Sequence, residues 1–179
     1  MFTINIHLEN DLIRLEKLIA SDFDRLFKVA SDPLIWEQHP SKERYKKEVF
    51  EIFFKAAIES ETAFLVFDNQ TQELIGTSRY YDYNLQESSV AIGYTFLARD
   101  HWGTFYNRAL KKLMLDHAFK FVQTVIFHIG EDNTRSQMAI RKLGAEKCGE
   151  QEMEYYGQGK KLNYVYHIHC SSWLSKIAD

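Results

Sequence analysis

The segment Ile92-Gly93-Tyr94-Thr95-Phe96-Leu97-Ala98-Arg99-Asp100-His101-Trp102-Gly103-Thr104-Phe105-Tyr106-Asn107-Arg108 decides the fold, because it has the pattern of a strand, a turn and the start of a helix. Residues 88–97 alternate as a strand does, and residues 104–122 carry apolar side chains at helical spacing. The free amides at a helix N-terminus, together with the positive end of the helix dipole, bind phosphate groups. The segment therefore predicts a local anion site, although every strand-to-helix turn has such amides.

The length and charge of the chain limit the classes of protein to consider. A chain of 179 residues is long enough for one domain with a hydrophobic core, so we expect a single domain over residues 1–179. A formal net charge of -3 provides no general attraction for nucleic acid or an anionic membrane. The sequence shows neither a signal-peptide pattern nor an apolar run of the roughly 20 residues that a membrane span needs. We expect a cytoplasmic protein without nucleic acid or membrane partners.

Strand and helix patterns alternate along the whole chain without a flexible linker. The predicted strands are residues 2–8, 63–68, 74–83, 88–97, 125–129, 152–156 and 161–169, the last two joined by the turn Gly157-Gln158-Gly159. The predicted helices are residues 12–19, 22–30, 42–59, 104–122 and 133–143, with a short helix over residues 171–178. This order predicts an α/β (α+β) fold in which an antiparallel meander precedes one right-handed β-α-β crossover.

Four short motifs follow one another along the chain: Ile92-Gly93-Tyr94, Trp102-Gly103 at the helix entry, Asn133-Thr134-Arg135-Ser136, and Lys142-Leu143-Gly144. In this order they resemble motifs A and B of the GNAT (N-acetyltransferase) superfamily. Two further segments, Ala30-Ser31-Asp32-Pro33 and Leu74-Ile75-Gly76-Thr77, are similar to the ribosomal-protein N-terminal acetyltransferase branch. The resemblance implies a mixed, mostly antiparallel, splayed central sheet of about seven strands flanked by helices.

The resemblance also implies where acyl-CoA binds. Acetyl-CoA or another acyl-CoA would lie between the strand ending near Leu97 and the strand ending near Ile129. Its pyrophosphate would meet the amides of residues 103–107, and its pantetheine arm would pair with backbone at residues 96–98 as an added strand. The implied cofactor-binding residues are Phe96, Leu97, Ala98, Trp102, Gly103, Thr104, Phe105, Tyr106, Asn107, Arg108, Asn133 and Ser136.

Three residues depart from the family pattern. Phe105 and Asn107 stand where the family's loop usually has small residues, and Ala91 stands where many relatives have a glutamate. These departures favour an alternative function, a non-catalytic CoA-binding or dimerisation protein that keeps the fold. Basic residues of the same region either meet the nucleotide phosphates or are simply solvated; they are Arg99, Arg108, Lys111, Arg135, Arg141 and Lys142.

Acyl transfer from a thioester to an amine requires a neutral amine and benefits from a proton donor for the departing thiolate. Ser136 is the candidate donor, with a helix-surface or capping serine as the other interpretation. His128 and Glu87 are candidates for the general base, against a half-buried structural histidine and a solvated turn residue. A site that only positions a neutral amine needs no base. His167 and His169 lack a third ligand, so no metal is expected.

The sequence therefore predicts an N-acyltransferase in which a primary amine attacks acyl-CoA directly in a ternary complex. The sequence does not decide whether the acceptor is a protein N-terminus, a polyamine, an amino sugar or another small amine. Tyr155, Tyr156 and Tyr164 either line the acceptor entrance or only pack across strands. A homodimer is compatible with the sequence.

Overall fold

The structure is a computed structural model, and it describes residues 7–155 and 159–178. These residues form an eight-stranded sheet with helices on both faces. The strands are β1 (Leu8–Glu9), β2 (Ile13–Lys17), β3 (Ala63–Asp68), β4 (Leu74–Asn84), β5 (Ser89–Leu97), β6 (Thr124–Gly130), β7 (Glu146–Tyr155) and β8 (Gly159–His169). The helices are α1 (Phe23–Ala30), α2 (Lys47–Glu59), α3 (Tyr106–Ala118), α4 (Thr134–Lys142) and α5 (Cys170–Ala178).

The strand order is β1-β2-β3-β4-β5-β6-β8-β7. Among the strands of the described ranges, only β5 and β6 pair in parallel; every other neighbouring pair is antiparallel. Helix α3 connects β5 to β6, which is the predicted β-α-β crossover. The predicted fold class, an open and mostly antiparallel mixed sheet flanked by helices, is confirmed.

Each face of the sheet has its own hydrophobic core. On one face, α3 and α4 bury residues such as Leu110, Met114 and Ile140 against the sheet. On the opposite face, α1 and α2 bury an aromatic cluster that includes Phe50 and Phe53. Strand β5 contributes to both cores, with Ile92 and Leu97 in the first and Phe96 in the second, so its end is packed from both faces. Strand β6 contributes Val125, Phe127 and Ile129 to the first core.

The predicted helix over residues 12–19 is wrong, because Ile13–Lys17 forms β2. Ile13 and Leu15 are fully buried and alternate with the more exposed Arg14 and Glu16, which is the period of a strand and not of a helix. Asn10 starts the turn before it, because its Oδ1 accepts hydrogen bonds from the amides of residues 12 and 13, both at 2.9 Å. The additional strand explains why the sheet has eight strands and not about seven.

The other elements differ from prediction mainly at their ends. Helix α2 begins at Lys47 and not at residue 42, and β7 begins at Glu146, six residues before the predicted start. Most of the predicted strand over residues 2–8, and residues 157–158 of the predicted turn, lie outside the described residues. No helix within the described ranges is long and apolar enough to cross a membrane.

Candidate active site

Strands β5 and β6 separate soon after they begin, and a cavity of about 660 Å³ lies at the separation. They pair only at Ser89–Ala91 against Thr124–Ile126. Tyr94 has a φ of 52°, in the left-handed region that non-glycine residues seldom adopt. At this position β5 holds one more residue than β4, a bulge that bends the strand. The edge of β5 that follows Ala91 is therefore left open toward β6, and residues 92–97 line the cavity.

Most of the predicted cofactor residues lie around this cavity. Its lining includes Phe96, Leu97, Trp102, Gly103, Thr104, Phe105, Asn107, Arg108, Asn133 and Ser136. Ala98 and Tyr106 do not belong to the lining. The amide of Ala98 donates to the carbonyl of Ile75 at 2.7 Å, so the sheet already uses the group that was predicted to pair with pantetheine.

The loop before α3 has the backbone expected of an anion site. Gly103 has a φ of 69°, which a glycine adopts without the steric cost of a side chain. Helix α3 begins at Tyr106, whose amide donates to Thr104 Oγ1 at 3.4 Å, while the amides of residues 107 and 108 have no intrahelical partner. The Phe105 side chain is 76% exposed and is directed mainly to solvent. A bulky residue at this position is therefore compatible with a phosphate group on the amides.

A buried carboxylate anchors this loop to the sheet. Oδ2 of Asp68, at the end of β3, accepts the Tyr106 hydroxyl at 2.6 Å and lies 3.5 Å from Nε2 of His101. Burial alone would raise the pKa of Asp68, but the hydrogen bonds from Tyr106, from the amides of Gln70 and Thr71 and from His101 lower it. Tyr106 therefore positions the loop from outside the cavity.

Trp102 joins the loop to β5 and to helix α4. Its indole Nε1 donates to the carbonyl of Leu97 on β5 at 2.9 Å. The guanidinium of Arg135 on α4 lies 3.7 Å from the centre of the Trp102 ring. The Trp102 ring therefore connects the end of β5 with the first turn of α4, the helix that follows β6.

Asn133 and Ser136 lie at the start of α4. Asn133 is the N-cap, and its Oδ1 accepts from the Ser136 amide at 3.1 Å. The Ser136 hydroxyl lines the cavity and has no hydrogen-bond partner in the part of the chain that the structure describes. That hydroxyl is therefore available to a ligand in the cavity, whereas the oxygen of Asn133 is already used by the cap.

The two predicted bases lie far apart. His128 on β6 lines the cavity, and its Nδ1 is 2.8 Å from the hydroxyl of Tyr81. Burial lowers the pKa of His128, so the neutral imidazole predominates at neutral pH. Glu87 is exposed in the turn between β4 and β5 and does not line the cavity. The sequence placed Glu87 next to the site because it precedes β5, but the cavity lies along the opposite end of that strand.

Lys111 is a cavity residue whose role differs from the predicted phosphate contact. Its side chain is only 4% exposed, and its Nζ lies 2.6 Å from Thr95 Oγ1 and 3.5 Å from Ser78 Oγ. Burial lowers the pKa of Lys111 from 10.5 to about 7. Lys111 is thus a buried amine under β5 and is not a solvated cation at the cofactor loop.

A second cavity of about 210 Å³ adjoins the first on the α2 face of the sheet. The two cavities share His39, Tyr94, His128 and Tyr155 in their linings. Of the predicted entrance tyrosines, Tyr155 therefore lies between the cavities, Tyr164 lines neither, and Tyr156 lies outside the described residues.

Two arginines of the second cavity, Arg44 and Arg79, were not predicted as site residues from the sequence. Arg44 precedes α2, and Arg79 lies in the middle of β4. The sequence feature that could have identified this site is Arg79, a charged residue among the buried positions of a central strand.

Comparison with known proteins agrees with this geometry. Three solved structures share the fold: a GCN5-related N-acetyltransferase from Brucella melitensis (17% identity, 97% of this chain and 83% of that chain, TM-score 0.83), spermidine N-acetyltransferase from Vibrio cholerae in complex with CoA and spermine (19%, 92% and 99%, 0.70), and ribosomal-protein-S5-alanine acetyltransferase from Vibrio fischeri (18%, 94% and 99%, 0.70).

The model of the acetyltransferase (GNAT) domain family matches residues 13–146, most of the chain, and the chain belongs to that family. Membership implies acyl transfer from acetyl-CoA to an amine. The predicted superfamily is thereby confirmed.

Proposed function

We propose that this protein transfers an acetyl or similar acyl group from acyl-CoA to a primary amine by direct attack in a ternary complex. The observation that carries the proposal is the pair of joined cavities. One lies at the separated ends of β5 and β6 beside a helix N-terminus, and the other approaches it from the α2 face. Two substrates can therefore reach His128 and Tyr94 from different sides, as direct transfer requires.

The residues around the first cavity fit acyl-CoA. The open edge of β5 at residues 93–97 offers backbone groups to the amides of a pantetheine arm, in the manner of an added strand. The amides of residues 103–105, 107 and 108 offer donors to a pyrophosphate without a large positive charge, whereas the Tyr106 amide donates to Thr104. The 660 Å³ volume is within the usual range for small-molecule sites.

The chemistry requires one bond exchange and two proton movements. The amine nitrogen bonds to the acyl carbon, the carbon–sulfur bond breaks with its electron pair on sulfur, and the nitrogen loses a proton. Neutral His128 accepts that proton at Nε2 when its Nδ1–H donates to the hydroxyl of Tyr81. Ser136 donates a proton to the sulfur and regains one from water, to which His128 returns the proton that it took from the amine. Protonation of the sulfur is a modest requirement because a thiol with a pKa of about 8.5 is already a fair leaving group.

The choice of acceptor belongs to the proposal. The motifs of the ribosomal-protein branch and the Vibrio fischeri neighbour favour a protein N-terminus, and the Vibrio cholerae neighbour favours a polyamine. Both are compared with small amines in the experiments below. A cytoplasmic location, a single domain and a homodimer stay predictions.

The test begins with thermal unfolding in the presence of acetyl-CoA. A ligand at about one hundred times its Kd stabilises a protein by about 2.7 kcal/mol, so an upward shift of Tm is expected. Absence of a shift at millimolar acetyl-CoA would refute the proposal. Thiol release with a panel of amines then separates an enzyme from the alternative, a non-catalytic CoA-binding protein, which would shift without turnover.

Ser136→Ala tests the proposed proton donor. We expect kcat to fall by about ten- to a hundred-fold while the Tm shift with acetyl-CoA is kept, because the hydroxyl acts on the leaving group. Ser175→Ala is the matched control, since Ser175 is an exposed serine of α5 whose Oγ bonds to Ser171 within the same helix. An unchanged kcat in Ser136→Ala would remove this serine from the mechanism.

A further inference from the structure

The second cavity contains two buried positive charges. Arg44 and Arg79 are each 7% exposed, and both line this cavity. Neither belongs to any ion pair formed among residues 7–155 and 159–178. Glu154 is the carboxylate of the lining, and its side chain is exposed. The cavity therefore has a net positive interior.

Aromatic rings compensate these charges only in part. The Arg79 guanidinium lies 3.5 Å from the centre of the Tyr94 ring, and that of Arg44 lies 4.7 Å from the Phe53 ring. A buried cation–π contact contributes about 2 kcal/mol, whereas burying an ion costs several kcal/mol. Nε of Arg79 is buried without a hydrogen-bond partner among the described residues. Such an unpaired donor indicates a missing acceptor.

His39 does not supply that acceptor to Arg44. The amide of Ser41 donates to Nδ1 of His39 at 2.9 Å, so the proton of the neutral imidazole lies on Nε2. Nη1 of Arg44, 3.4 Å from this Nε2, therefore meets a donor. Burial, and then the charge of Arg44, lower the pKa of His39 well below its usual value, which keeps the ring neutral. Burial lowers the pKa of Arg44 to about 10, so Arg44 keeps its charge at neutral pH.

We propose that the acceptor is a small primary amine that carries an oxyanion, either a carboxylate or a phosphate, held by Arg44 and Arg79 in the second cavity. The proposal rests on the proposed acyltransferase function and defines its substrate class. The planar guanidinium of arginine matches both kinds of oxyanion with paired hydrogen bonds. The amine of the same molecule would reach the first cavity past Tyr94, His128 and Tyr155, which border both cavities.

The same arrangement disfavours a polyamine. A polycation in this cavity would meet two like charges in surroundings of low dielectric constant, where their repulsion is poorly screened. The volume of about 210 Å³ is small for a ligand site, which favours a molecule of amino-acid size over a long chain.

Matched pairs of amines test the proposal by thiol release with acetyl-CoA. Amino acids are compared with their amides, and O-phosphoethanolamine with ethanolamine, so that the two arms separate carboxylate from phosphate; spermidine and an alanine-initiated peptide amide complete the panel. We expect the anionic member of at least one pair to have a kcat/KM at least ten-fold above its neutral partner. Equal or faster turnover of the neutral amines, spermidine or the peptide would overturn the proposal.

Arg79→Met and Arg44→Met should each lower that preference by about ten- to a hundred-fold, the loss of one hydrogen-bonded charge contact. Both variants should keep the Tm shift with acetyl-CoA, which shows that they are folded. Arg79→Lys keeps the charge and should restore part of the preference. Lys55→Met is the matched control, because it removes an α2 charge whose side chain is 77% exposed.

The two proposals fail differently. If acetyl-CoA shifts Tm but no amine of the panel is acetylated, calorimetric titration of the anionic amines into the CoA-loaded protein decides the acceptor class. Binding that Arg79→Met weakens supports the oxyanion site, and no binding overturns it. A protein that acetylates only neutral amines would keep the acyltransferase function and lose the oxyanion site.

Discussion

Replacing Lys111 by methionine should change how the stability of the protein depends on pH. The Nζ of Lys111 is buried under β5 between Thr95 and Ser78, and burial lowers its pKa from 10.5 to about 7. Between these two pH values the unfolded chain binds one proton more than the folded protein. The free energy of unfolding of the wild type therefore rises with pH across this window. Below pH 7 and above pH 10.5, the ionisation of Lys111 no longer changes the free energy of unfolding with pH.

The magnitude follows from the difference between the two pKa values. Each pH unit well inside the window contributes about 1.4 kcal/mol, and the first unit less because Lys111 is half protonated near pH 7. From pH 7 to pH 9 the wild type should gain about 2 kcal/mol relative to Lys111→Met. The methionine variant should fold, because Ser78 and Thr95 hydroxyls lie 2.7 Å apart and satisfy each other when the amine is removed.

Urea denaturation of both proteins at pH 7, 8 and 9 measures this effect. Other titrating groups cancel in the difference between the two unfolding free energies. Lys120→Met, which removes an exposed lysine just after α3, controls for the loss of a surface charge. A wild-type minus variant difference that stays constant from pH 7 to pH 9 would show that Lys111 is not desolvated.

Three further predictions concern the cofactor loop and the base. Gly103→Ala should lower the free energy of unfolding by about 1 kcal/mol in urea denaturation, because φ is 69° and alanine is strained there. An added Cβ would meet no atom within 4 Å, so backbone strain is the whole of the expected cost. An unchanged free energy of unfolding would contradict this argument. Asp68→Asn should destabilise by about 1–3 kcal/mol at pH 7. This loss should vanish as pH falls through the folded pKa of Asp68, which lies below 3.8. Urea titrations of the wild type and the variant at pH 7 and pH 3 measure the loss at each pH. Equal losses at the two pH values would refute the carboxylate's role. The imidazole of His128 should titrate below pH 6.5 in an NMR pH titration of the free protein, because burial lowers its pKa; titration above pH 6.5 would contradict a buried, neutral His128.

The elements that the sequence predicted well are those with a strong local pattern. Strand β3 was predicted at its observed bounds, and α3 and α4 within a few residues, because each has a regular apolar period and clear end signals. Strand β2 was missed because five residues with two buried side chains fit a short helix almost as well as a strand. Its pairing with β3, which is distant in sequence, decided the conformation.

The same distinction applies to the candidate site. The loop around Gly103 could be placed because strand, turn and helix are consecutive in the chain. Arg44 and Arg79 could not be paired from the sequence, because a single arginine is usually solvated and only the folded chain brings the segment before α2 and the middle of β4 into one cavity. Glu87 was misplaced for the converse reason, since proximity along β5 does not indicate which end of the strand holds the cavity.

The short pairing of β5 with β6 divides the sheet into two halves. Three residue pairs join β1–β5 to the β6, β8 and β7 group, so few backbone hydrogen bonds fix the angle between the halves. A thioester substrate that bonds to the open edge of β5 would add its own amides to that junction and stiffen the hinge. Amide protons of residues 93–97 would then exchange more slowly with solvent when the substrate is bound. Slower exchange in the flanking strands would show that the substrate also holds the halves of the enzyme together.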